Sequence, residues 1–91
     1  MAEERLGLLQ RRRLGLTIPD LVPVVKELQA QGQLTGEPSV DAVTVANVLI
    51  AQKPQEYQAA AGRDWEAFFE ALLAFLEKLL PLILQLISLF A

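Results

Sequence analysis

An all-α protein is what this sequence predicts: a module of short helices followed by one long C-terminal helix that packs into a multi-helix bundle with other copies. Three observations carry that expectation. Apolar residues recur at helical spacing in every segment long enough to hold an element. Helix-starting and helix-stopping residues fall at regular intervals. Thirteen of the last twenty residues are Leu, Ile or Phe, more apolar surface than a chain of 91 residues is expected to bury by itself.

Residues 1–16 read as a basic arm or a short helix. Leu6, Leu9 and Arg13 would share one side of such a helix, whereas Gly7 and Gly15 weaken it. Residues 17–62 read as a small helical module. Asp20 is the expected cap of its first helix, with Pro23 in the first turn, where a missing N–H costs nothing. Leu21, Val24, Val25 and Leu28 then form one stripe at i, i+3, i+4 and i+7, and Gly32 stops the helix. Ser39 is the expected cap of the next helix, Val40 to Gln52. Its β-branched run over Val43 to Ile50 also suits a strand. Helix is favoured because a lone strand would have no pairing partner. Pro54 ends that element and opens a short turn to Ala61, broken by Gly62.

Residues 63–91 form the expected association helix. Asp64 caps it, and Glu66 and Glu70 place negative charge near the positive end of its dipole. The main apolar line runs through Trp65, Phe69, Leu72, Leu76, Leu79, Ile83, Leu86 and Phe90, separated alternately by four and three residues. Two flanking lines are also apolar: Phe68, Phe75, Leu82 and Leu89 on one side, Leu73, Leu80 and Ile87 on the other. A two-stranded coiled coil wants charge at those flanks. An apolar arc of roughly 160° suits a helix with at least two neighbours, so these fifteen residues are the expected oligomer interface, in an assembly of three or more chains. Pro81 lies opposite the arc, where it either bends the helix or breaks off a separate tail.

Composition excludes most chemistry. The chain has neither Cys nor His, which removes thiolate nucleophiles, the usual general base and the commonest metal ligands. Its carboxylates on the last helix point away from the apolar arc, unlike the inward carboxylates of metal-binding bundles. Its five glycines are scattered, with no phosphate-cradling loop. No enzyme activity, cofactor or metal is therefore expected. The net charge of −3 argues against wholesale nucleic-acid binding. Arg11, Arg12 and Arg13 are the one candidate contact for phosphate, as a grip on an anion, against the plainer reading of a solvated face. The N-terminal stretch carries Glu3 and Glu4 and no long apolar run, so no signal peptide is expected.

The expected function is that of a non-enzymatic assembly protein, cytoplasmic or held within a larger assembly, a virion component being one example. The alternative is a small protein anchored to or lying on a membrane, because Ala71 to Ala91 has the length of a span. Against spanning, Glu77, Lys78, Pro81 and Gln85 interrupt it.

Overall fold

The computed structural model describes residues 7–90, without the side chain of Leu8, and within them the chain is helical and has no strand. Five helices follow in order: α1 (Leu8–Leu14), α2 (Ile18–Ala30), α3 (Pro38–Gln52), α4 (Pro54–Ala61) and α5 (Trp65–Phe90). The expectation for residues 1–6 of the N-terminal arm lies outside the described residues.

Helix starts follow proline more than side-chain caps. α2 begins at Ile18, two residues ahead of Asp20, with Pro19 in its first turn. Asp20 therefore is not the cap: it accepts a 2.6 Å hydrogen bond from the Thr17 hydroxyl. α3 likewise opens at Pro38, ahead of Ser39, and Glu37 occupies the capping position. In both cases proline's preset φ is already helical and its absent N–H leaves nothing to satisfy, so the helix reaches back to it. Val43 to Ile50 lie in the middle of α3. The β-branched run is overridden because its small and apolar members fall on one packed face.

Glycine ends α2. Gly32 takes φ +69°, and the chain turns so that Gln33 N–H donates to the Leu28 carbonyl at 3.0 Å and Gly32 N–H to that of Gln29 at 3.1 Å. These bonds satisfy carbonyls that the helix end would leave open.

One hydrophobic core joins all five helices. α5 is its axis, with α3 in the most extensive contact and α2 and α4 beside it, while α1 rests chiefly on α4. Ala42, Val45, Ala46 and Leu49 of α3 recur at i, i+3, i+4 and i+7 and are buried. The two alanines let α3 approach α5 closely, where Ala71 is also buried. α2 adds Leu21, Val25 and Leu28.

Length decides what this packing can cover. The molecule is 39 Å long, about the ~39 Å of a 26-residue helix. α2 and α3, with 13 and 15 residues, reach only ~20 and ~23 Å. They lie along one side of α5 and leave another side open.

Candidate interaction face

α5 starts where the sequence says it should. Asp64 accepts a 3.0 Å hydrogen bond from the Ala67 N–H through its Oδ1, satisfying one of the first-turn donors. Trp65 then stacks on Phe69 with 6.1 Å between ring centroids, and Phe68 meets Tyr57 edge-on at 6.2 Å. The helix runs without a break through Pro81, which is exposed. The separate-tail alternative is therefore excluded. Proline is tolerated there because its missing bond and its ring face solvent rather than the core.

The fifteen candidate interface residues divide into three groups. Phe68, Leu72, Leu76, Leu80, Ile83 and Ile87 are buried inside this single chain. Phe69, Leu73, Phe75, Leu79 and Leu86 are half-buried. Trp65, Leu82, Leu89 and Phe90 are exposed, Leu82 by 52% and Leu89 by 73% of their surface. The buried line takes in Leu72, Leu76 and Ile83 of the main heptad line and extends onto one flank through Leu80 and Ile87, while Leu82 and Leu89 of the other flank stay exposed. The reason is that α2, α3 and α4 pack against the centre of the wide apolar arc and one of its edges, not the other.

The border between packed and open surface is itself regular, with Phe75 and Leu79 partly buried against the core, Leu86 half-buried, and Leu82 and Leu89 exposed. Phe75, Leu79, Leu82, Leu86 and Leu89 are spaced by four, three, four and three residues, and fall within about 80° of helix circumference. None is fully buried. Lys78 and Gln85, both exposed, border this line on its outer edge. Its exposed members, Leu82 and Leu89, have no apolar neighbour covering them among the described residues.

The arginines of α1 separate into two roles. The Arg11 guanidinium lies over the Phe75 ring, 5.4 Å from its centroid, a cation–π contact at the N-terminal end of that line. Its Nε is buried without a hydrogen-bond partner. Arg12 and Arg13 are exposed. Arg11 is thus engaged with an aromatic ring, whereas Arg12 and Arg13 face solvent.

Two buried polar side chains that composition did not single out, Asp41 and Tyr57, tie segments of the scaffold together. Asp41, 2% exposed, accepts from the Thr35 N–H at 2.8 Å, the Thr35 hydroxyl at 2.9 Å and the Gly36 N–H at 3.0 Å. It thereby ties the loop before α3 to the helix. Tyr57 is fully buried, and its hydroxyl donates to the Leu14 carbonyl at 2.7 Å. Burial without a charge to compensate raises its pKa well above the ordinary phenol value. Lys53 Nζ donates to the Arg13 carbonyl at 3.2 Å, so two side chains hold the C-terminal end of α1. A lone aromatic in the polar stretch from Gln52 to Ala61 was the only advance sign of Tyr57.

Among the described residues no three carboxylates gather at a point that would hold a metal ion. The groove between α2 and α3, lined by Pro23, Val24, Leu28 and Val48 with Glu27 at its edge, holds about 300 Å³. It brings together no set of groups that could carry out proton or group transfer. No family model, no curated protein and no solved structure matches this chain, so the partly open line of α5 is the feature on which a functional reading rests.

Proposed function

We propose that this protein is a non-enzymatic assembly protein that self-associates through the uncovered side of α5. The observation that carries the reading is the line from Phe75 to Leu89, in which Leu82 and Leu89 are exposed and Phe75, Leu79 and Leu86 only half-buried, at three-and-four spacing. Exposed apolar surface of this continuity is costly in a monomer and marks an interaction site. A repeat of 3.5 residues is what another helix requires, because knobs must meet holes turn after turn. A smooth apolar surface makes no such demand.

The membrane reading keeps one specific observation in its favour. α5 is long and apolar enough to cross a bilayer, by length and composition, and 28% of its most apolar stretch is buried within the chain. Spanning would strip Phe68, Leu72, Leu76, Leu80, Ile83 and Ile87 from the core they share with α2–α4. It would also take Glu77 and Lys78 into hydrocarbon at a cost of up to about 3 kcal/mol each. These costs rank it second.

Light scattering of the detergent-free protein tests both. A defined soluble oligomer that becomes monomeric in the Leu82→Glu, Leu86→Glu double variant is the expected result. A wild-type monomer at every concentration overturns self-association. A chain that stays in solution only with detergent favours the membrane.

A further inference from the structure

We infer that α1 is a hinged latch: it lifts from α4 about Gly15 while α2–α5 stay folded, and when closed it screens Tyr57 and Phe75. The device lies within one chain and operates whether or not the protein self-associates.

Little buried surface holds α1 down. It has seven residues, too few to persist as a helix in isolation. Of its described side chains only Leu14 is buried, and Leu9 is 74% exposed. By comparison α3 buries five residues and α5 seven. The start of α1 is weak as well, since Gly7 caps it without a side-chain bond and its first turn holds no acidic residue.

The attachments gather at its other end. The Tyr57 hydroxyl donates to the Leu14 carbonyl at 2.7 Å, and Lys53 Nζ to that of Arg13 at 3.2 Å. Next comes Gly15 at φ +72°, a backbone that glycine adopts and leaves without strain. Leu16, beyond it, is fully buried. Rotation about Gly15 therefore moves α1 and leaves Leu16 in the core.

Closure also has a cost that opening relieves. With the Arg11 guanidinium over Phe75, its Nε is buried and has no hydrogen-bond partner among the described residues. Such a donor has lost its water without replacement. Packing against α4 is incomplete too. A crevice of about 150 Å³ lies between Gln10, Arg13 and Leu14 on one side and Glu56, Ala59 and Ala60 on the other. That is ample for water, which can take over the Arg13 and Leu14 carbonyls as α1 lifts. So small a buried contact opens at a lower free energy than the whole chain. The open form bares the Tyr57 hydroxyl and frees the Phe75 ring, which then joins Leu82 and Leu89 as exposed apolar surface of α5.

Amide hydrogen exchange of the unaltered full chain, read residue by residue by NMR at one protein concentration, tests the latch. Amides of Arg11, Arg12, Arg13 and Leu14 should be protected at least about tenfold less than those of Val45, Ala46 and Leu49 in α3. Their exchange should barely respond to about 1 M urea, whereas that in α3 should speed up about fivefold or more, because global unfolding exposes far more surface. Equal protection and equal urea dependence in the two helices would mean that α1 opens only with the whole chain, and would overturn the inference. Tyr57→Phe then separates lifting from fraying. Lifting breaks the bond to Leu14, so this variant should speed exchange in α1 roughly fivefold to tenfold, still without urea dependence. Unchanged exchange in α1 would show that it unravels with Leu14 still attached, and overturns the hinge.

Discussion

The Tyr57 hydroxyl donates to the Leu14 carbonyl at 2.7 Å, joining α4 to the end of α1 across 43 positions of chain. Both residues are buried, by 99% or more of their surface. The bond is therefore isolated from water, and removing its donor leaves a carbonyl with no solvent to turn to. Tyr57→Phe should lower unfolding free energy by about 1–3 kcal/mol. Urea unfolding checks this, and a loss below about 0.5 kcal/mol would show that α1 is not held by that contact.

Alkaline pH probes the same bond with a defined sign. Burial raises the native pKa of Tyr57 above the ordinary value near 10. Native protein then holds the phenolic proton where the unfolded chain has released it. The contribution is fully present below pH 10 and is lost as pH rises from there through the native value, at up to about 1.4 kcal/mol per pH unit. Wild type should lose stability above pH 10 more steeply than Tyr57→Phe, and parallel curves would contradict the assignment.

Asp41 closes the loop before α3 with three accepted hydrogen bonds. Asp41→Asn preserves size but turns one acceptor into a donor facing an N–H. It should cost about 1–3 kcal/mol, and Asp41→Ala more, because three donors then lose their partner. Thermal unfolding of both variants, with helix content followed by circular dichroism, gives the ranking.

Leu80 and Leu82 are two positions apart and differ in environment, one 1% and the other 52% exposed. Leu80→Ala opens a cavity in the core and should cost about 2–5 kcal/mol at any protein concentration. Leu82→Ala should change the stability of dilute, dissociated protein by less than about 1 kcal/mol while weakening association. Unfolding measured at two protein concentrations separates these effects, since only an association defect depends on concentration.

Pro81 removes a backbone donor from the middle of α5 and is exposed. Pro81→Ala restores the bond to the Glu77 carbonyl and loses no buried contact. It should raise the melting temperature, by up to about 3 kcal/mol in stability terms. A lower melting temperature would mean that the proline shapes α5 to fit its own core.

Periodicity and punctuation alone determined that most of the described chain is helical, that Asp64 caps the last helix and that Pro54 and Gly62 bound a short one, but left Val43 to Ile50 open between helix and strand. These are local matters, settled by backbone donors, proline's φ and the spacing of apolar side chains over a few turns. Helix starts were less legible where two signals competed. At Pro19 and Pro38 the proline lies ahead of the capping candidate, and the preset φ prevailed. Tertiary structure decided which edge of the wide apolar arc on α5 becomes core. Leu80 and Ile87 went inward, Leu82 and Leu89 stayed out, and nothing in their common hydrophobicity distinguishes them. That choice depends on where the ~20 Å helices α2 and α3 come to lie against a ~39 Å partner, a contact between residues distant in the chain. The same contact buried much of the arc and left Leu82 and Leu89 exposed. It also placed Arg11 on Phe75, a pairing across most of the chain that no local spacing encodes.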